Sequence, residues 1–239
     1  MFIGDSFIDS GYIQSELIGK MGSALTLYGT REFTNIPDYN NVNHSGLDEG
    51  RASWRLWNYC NSATFNGVTN PFYNNNTFDF AYYMSNNPSF NDVTDVFLLT
   101  GANDSGWGDY AFQTSYNTVV NSIKSYNANI RIHALMPITC FCEGYAWGIR
   151  NHNGGSEYRY NEFGFGKIIV DTFDSDSMVF VVPTHMDFNK DYDFPTTEVA
   201  CSDHNPALME VFNDNVHPNR YGYYGMAGMI FGDIIANCQ

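Results

Sequence analysis

Three short apolar runs, each cut off by glycine or proline, constrain the fold of this 239-residue chain more than any other feature. Residues 96–100 stop at Gly101, residues 130–136 stop at Pro137, and residues 178–182 stop at Pro183. Runs of this length without polar alternation suit strands covered on both faces, as in a parallel sheet. Residues 1–3, leading into Gly4-Asp5-Ser6, are the stub of another strand, and 78–82 is a further candidate. Between these lie stretches with apolar residues at three- and four-residue spacing: 15–20, 52–59, 110–125, 159–173 and 221–236. In 110–125, Tyr116, Val119, Val120 and Ile123 share one helical face; in 52–59, Trp54, Leu56, Trp57 and Tyr59 do. Alternating strands and helices predict a three-layer α/β fold around a mainly parallel sheet. In such sheets reactive groups gather at the carboxyl ends of the strands.

No internal repeat, linker or shift in composition divides the chain, so the sequence reads as one domain over 1–239. Apolar residues make up 44%, enough for a core without covalent staples. No run approaches the roughly 20 apolar residues of a membrane span. No basic and apolar leader follows Met1, although a secreted form with its leader removed would read the same. The first strand is short, which suggests one module of a longer polypeptide. An extracellular or surface-associated setting is expected over a cytoplasmic one. The net charge of −15 repels phosphate backbones and anionic lipid, so neither nucleic acid nor membrane is an expected partner. The sequence leaves the oligomeric state open. Five cysteines (60, 140, 142, 201 and 238) are too few and too scattered for a disulfide scaffold. Cys140-Phe141-Cys142 lacks the spacing of a zinc hook, so thiols and no metal are expected there.

Three separated segments carry chemistry. Gly4-Asp5-Ser6 ends the first strand at a strand-to-helix corner, where a serine hydroxyl can be exposed beside a free backbone N–H. Taken alone, such a turn is an ordinary helix cap. Gly101-Ala102-Asn103-Asp104 ends the 96–100 run, and the Asn103 amide can face developing negative charge. Asp214-Asn215-Val216-His217-Pro218 stands just before the last helix. A carboxylate three residues before a histidine can orient the ring and stabilise its charged form, leaving the other nitrogen to take a proton from a serine.

Together, and in this order, the segments resemble the first, third and fifth sequence blocks of the SGNH/GDSL hydrolases. Tyr221-Gly222-Tyr223 and Met226-Ala227 resemble the helix after the fifth block. The resemblance implies Ser6 as nucleophile, His217 as base, Asp214 as its orienting acid and Asn103 as an oxyanion donor. It also implies a flavodoxin-like three-layer α/β/α sandwich with a parallel sheet of about five strands. Glu49-Gly50-Arg51-Ala52-Ser53-Trp54 resembles a segment that carbohydrate-esterase branches write with glycine where Ser53 stands. Backbone N–H groups donate whatever the side chain, so Gly50 and Ser53 are both candidates for the second oxyanion donor beside Ser6 N–H.

The expected activity is hydrolysis of short acyl esters, acetyl above all, on a carbohydrate through an acyl-enzyme, with no cofactor. Two alternatives stay open. One is a lysophospholipase or thioesterase of the same family. The other is a carbohydrate-binding or adhesion module with a vestigial site. His185 is read as a structural histidine with a partner, or a cleft residue. The acidic run 187–193, with Glu198 behind it, imitates a calcium loop but has Tyr192 where glycine is needed, so a solvated loop is expected. Residues 151–155 read as a loop bordering the cleft.

Overall fold

The structure, a computed structural model, describes residues 1–104, 108–138, 155–189, 192–202, 205–212, 214 and 216–237. Strand β1 (Phe2–Gly4) runs into helix α1 (Ser6–Asp9) and then α2 (Tyr12–Met21). A ribbon of β2 (Arg31–Pro37) and β3 (Asn43–Gly50) follows, then helix α3 (Leu56–Asn61). Two small ladders, β4 (Thr64–Phe65) with β5 (Val68–Thr69) and β6 (Tyr73–Asn74) with β7 (Thr77–Phe78), lead to α4 (Phe80–Asn86). Next come β8 (Asp95–Leu99), α5 (Asp109–Tyr126), β9 (Arg131–Leu135), α6 (Gly155–Phe173) and β10 (Val179–Val182). A hairpin of β11 (Thr196–Ser202) and β12 (Asn205–Phe212) precedes the last helix, α7 (Arg220–Asn237).

The main sheet has the order β10-β9-β8-β1-β3-β2, with β2 antiparallel and the other five strands parallel. The apolar runs at 96–100, 130–136 and 178–182 thus became β8, β9 and β10, each within a residue or two of expectation. Their period of two divides the core. Ile3, Val96, Leu98, Ile132 and Ala134 face one side, packed against Leu56 and Tyr59 of α3, Tyr116 and Ile123 of α5, and Phe165 and Ile169 of α6. Phe2, Phe97, Leu99 and Leu135 face the other, against Ile13 and Leu17 of α2 and Met226, Ala227 and Ile230 of α7. Helices therefore cover both faces, giving three layers of the flavodoxin-like kind.

Several elements depart from the sequence reading, each for a local reason. The strand expected at 78–82 survives only at Thr77–Phe78, because Asp79 accepts the Tyr82 N–H at 2.9 Å and starts a helix. The helix expected at 52–59 begins only at Leu56, since Ser53 sits at φ 65°, outside helical space. Strands β2 and β3 have no apolar run to announce them: β3 is exposed over most of its length and buried only in Asp48, Glu49 and Gly50. The acidic run is a solvent-exposed loop where it is described, as expected, with local order added as Asp187 ends a 3-10 turn and the Asp193 carboxylate accepts the Asn189 N–H at 2.6 Å. Glu198 is exposed on β11; Lys190 and Asp191 lie outside the described residues. So do Cys140, Cys142, Cys238 and residues 151–154, while Cys60 and Cys201 are free thiols.

One polar tie crosses the second layer. His133, fully buried on β9, is stacked on Phe97 with ring centroids 4.2 Å apart. Its Nε2 lies 3.0 Å from Asp95, and its Nδ1 bonds to Asp233 of α7. Arg131 completes the cluster with two bonds to Asp95, at 2.6 and 2.8 Å. The cluster fastens the far end of the helix whose near end follows His217.

Candidate active site

The carboxyl ends of the three adjacent strands β8, β1 and β3 supply the site. Gly4 pairs with Leu99 on one side and Gly50 on the other, so the turns after all three strands emerge at one edge. Gly4 is required by close approach: a Cβ there would stand 2.3 Å from Leu99 O and 2.6 Å from Ile8. Asp5 then caps α1, accepting the Phe7 N–H at 3.1 Å, and Ser6 becomes the first helical residue. No described residue accepts the Ser6 N–H, which leaves it available at the positive end of a short helix.

The serine meets the far end of the chain. Ser6 Oγ lies 2.8 Å from His217 Nε2, across 211 positions of sequence. His217 Nδ1 is 2.9 Å from Asp214 Oδ2. The other carboxylate oxygen accepts the backbone N–H of Val216 at 2.8 Å and of His217 at 2.9 Å. Partial burial works against charge on Asp214, yet these donors and the ring hold its carboxyl below the usual carboxylate range. A charged Asp214 selects the tautomer with Nδ1–H facing it, so Nε2 is left to accept from the Ser6 hydroxyl. Both side chains remain partly open to solvent, and Phe7 packs beside the ring at 5.8 Å.

The turn after β8 is held to the turn after β3. Asn103 Nδ2 donates to Trp54 O at 3.2 Å, while Arg55 Nε donates to Asn103 O at 2.9 Å. Asp104 accepts the Leu56 N–H at 3.0 Å, and burial pushes its carboxyl up to about 6. Burial also raises Asp5, with the Asp104 charge adding to it, up to about 8. An amide has two N–H donors, so Asn103 keeps one beyond the bond to Trp54.

Of the two candidates in the second block, Gly50 is withdrawn. Its N–H already donates to Asp48 Oδ1 at 2.8 Å, and its lack of a side chain serves packing, because a Cβ would stand 2.2 Å from Asp9 N. Ser53 is different. It occupies the third position of a turn closed by Trp54 N–H to Arg51 O at 3.1 Å, with φ 65°, and no described residue accepts its N–H. That position of a turn favours glycine, so the chain keeps a glycine-type conformation where it carries a serine.

A buried network that the sequence reading did not single out maintains this turn. Arg51 pairs with Glu49 at 2.7 Å, both shielded from solvent, and its guanidinium lies 5.4 Å from the Trp54 ring. Glu49 also accepts from Tyr83 OH at 2.7 Å and from Thr30 N–H at 2.5 Å. Tyr59 OH bridges Gly4 O at 2.7 Å and Glu49 O at 2.8 Å, linking the network to the strand that ends in Ser6. The Glu-Gly-Arg segment was visible in the sequence, but Tyr59 and Tyr83 carried no pattern that could have pointed to it.

His185 does not stand in the relay. It sits on the turn after β10, its Nδ1 buried without a hydrogen-bond partner, and burial holds it below the ordinary histidine range. The partner expected for it is not found among the described residues. A cavity of ≈ 570 Å³ lined by Met1, Leu25, Leu27, Asp95 and Arg131 opens at the other end of the sheet and touches neither Ser6 nor His217.

The protein is thus of the three-layer α/β class, with a serine, a histidine and an aspartate in hydrogen-bonded series at the carboxyl end of its parallel sheet. No family model matches the sequence, and no curated protein matches it. Solved structures do match over nearly the whole chain. A serine-to-alanine mutant of an acetyl esterase with acetate superposes with a TM-score of 0.58 at 15% identity, covering 99% of this chain and 95% of that one. A family 3 carbohydrate esterase from Talaromyces cellulolyticus gives 0.59 at 16% identity, again covering 99% and 95%. One from Clostridium thermocellum gives 0.57 at 16%, covering 99% and 94%. A protein from Slackia heliotrinireducens described as a candidate SGNH hydrolase gives 0.58 at 12%, covering 96% and 94%. The chain therefore shares its fold with these solved esterases and with the candidate SGNH hydrolase.

Proposed function

We propose that this protein is a serine esterase that removes short acyl groups, chiefly acetyl, from a carbohydrate. The observation that carries the reading is the series Ser6 Oγ, His217 Nε2, His217 Nδ1 and Asp214 Oδ2, with steps of 2.8 and 2.9 Å. His217 takes the Ser6 proton as Oγ attacks the ester carbonyl. The imidazolium so formed is stabilised by Asp214 and gives its proton to the sugar oxygen as the ester C–O bond breaks, so that the sugar leaves as an alcohol and Ser6 is left acylated. Water, deprotonated by His217, then attacks the acyl-enzyme and releases the acid. Ser6 N–H, Ser53 N–H and the second Asn103 Nδ2–H are the donors for the oxyanion. That no described residue accepts the Ser53 N–H, while Asp48 accepts that of Gly50, supports Ser53 for this role.

The choice of acyl group and substrate draws on the proteins of like fold, which include an acetyl esterase and family 3 carbohydrate esterases. The carboxyl ends of the strands are where such folds place their chemistry. The test is acetate release from a panel of acetylated glycans, with Ser6→Ala as control and p-nitrophenyl acetate and palmitate as chain-length probes. The reading expects turnover of acetate esters, little of palmitate, and none by a folded Ser6→Ala variant. Full activity in that variant would overturn it.

A further inference from the structure

Two large tyrosines stand in water on a rigid base at the start of the helix that follows His217. Tyr39, in the turn between β2 and β3, is 63% exposed, and Tyr221, in the first turn of α7, is 50% exposed. A single exposed ring needs no explanation. These two lean edge-on against the same buried ring, Tyr224, each with centroids 6.1 Å away. Tyr224 is itself fixed, its hydroxyl donating to Pro37 O at 2.7 Å. The turn that carries Tyr39 is closed by Asp38 N–H to Val42 O at 2.9 Å, and Tyr39 N–H donates to Glu16 at 2.7 Å. Arg220 joins the two segments, donating to Asn41 Oδ1 at 3.0 Å and to Tyr221 OH at 2.8 Å.

We infer that Tyr39, Tyr221 and Arg220 form a sugar-ring platform beside the ester site, a subsite for a pyranose of the same glycan chain a few units from the acyl group. The inference rests on the carbohydrate reading above. Three arguments carry it. Position is the first: Tyr221 stands four positions beyond His217, a span of at most about 14 Å. A packed series of rings links them to His217, through Phe7 at 5.8 Å, Tyr223 at 6.2 Å, Tyr12 at 5.4 Å and Tyr224 at 6.3 Å.

Chemistry is the second. A pyranose presents an apolar C–H face and a rim of hydroxyls. Fixed phenol rings offer the matching face with polar edges, Tyr221 on the side away from the Arg220 guanidinium, which lies 4.8 Å from its centroid; that guanidinium, with five N–H donors, offers more than its two bonds to Asn41 and Tyr221 use. Preorganisation is the third: side chains already held by hydrogen bonds lose little freedom on binding. A fatty acyl chain would need a groove that buries it, and these rings are exposed instead. A second copy of the chain is opposed by the net charge of −15.

The test compares wild type, Tyr39→Ala and Tyr221→Ala on p-nitrophenyl acetate and on chemically acetylated xylo-, manno-, cello- and chito-oligosaccharides, from monosaccharide to hexasaccharide. On the preferred glycan, wild-type kcat/KM rises with chain length. Each variant keeps p-nitrophenyl acetate turnover but raises KM for the hexasaccharide about three- to tenfold. An equal loss on p-nitrophenyl acetate, or an unchanged KM on every hexasaccharide, would overturn the platform. Concentration-dependent dimers that the variants abolish would assign the rings to a second copy and overturn it as well. If wild type deacetylates no glycan, the functional reading fails separately. The platform is then judged by titrating unacetylated hexasaccharides into Ser6→Ala, and it stands only if added Tyr221→Ala weakens a measured affinity.

Discussion

Replacing Asn103 by alanine separates two jobs that one side chain holds in this structure. One Nδ2 hydrogen bonds to Trp54 O at 3.2 Å and joins the turn after β8 to the turn after β3. The other is the oxyanion donor of the proposed mechanism. Losing a neutral hydrogen bond of the first kind costs about 0.5–1.5 kcal/mol of stability. For a chain of this size that lowers Tm by roughly 1–6 °C. Losing an oxyanion donor costs about 2.7–4 kcal/mol in the transition state, or 10²–10³ in kcat. The two effects differ enough to be read independently, because the second is absent from the ground state. kcat and kcat/KM should therefore fall together while KM stays near its wild-type value. Steady-state kinetics on p-nitrophenyl acetate and a thermal melt of the same sample supply both numbers. A variant that melts a few degrees lower yet keeps kcat within threefold of wild type would show Asn103 to be a loop staple alone, and the oxyanion assignment would fall.

Two further outcomes follow from buried charge. Arg51→Met should destabilise the fold by about 3–5 kcal/mol, because it strands the Glu49 carboxylate away from water. Replacing both partners in Glu49→Gln/Arg51→Met should recover part of that loss in urea melts, and no recovery would argue that Arg51 acts by packing alone. His133 gives stability a pH dependence of defined sign. Burial lowers its pKa, but Asp233 and Asp95 outweigh that and raise it above the ordinary 6.5. Its contribution is therefore complete below about 6.5 and is lost as pH rises through the folded value. Asp95, which burial would raise but His133 and Arg131 hold low, contributes with the opposite sign and is lost only in strong acid. Urea melts of wild type and His133→Gln should diverge most below about pH 6.5 and draw together as pH rises above it; a constant difference would refute the assignment.

The parallel core and the three residues of the hydrogen-bonded series could be read from the chain's local patterns. Strands β8, β9 and β10 were legible because a strand covered on both faces must be apolar at every position, and nothing else in the chain reads that way. Ser6, Asp214 and His217 were legible because short motifs carry their own local geometry, as the bonds from Val216 and His217 N–H to Asp214 show. Strands β2 and β3 were not, since a ribbon largely exposed to water needs no apolar signature. Only the tertiary structure decided that the Gly50 N–H is engaged by Asp48 while Ser53 keeps its own free, and that Glu49, Arg51, Tyr59 and Tyr83 form one network. The physical reason is distance along the chain. A pattern in sequence reports what a residue does to its near neighbours, whereas a donor's availability depends on whichever atom the fold happens to bring within about 3 Å.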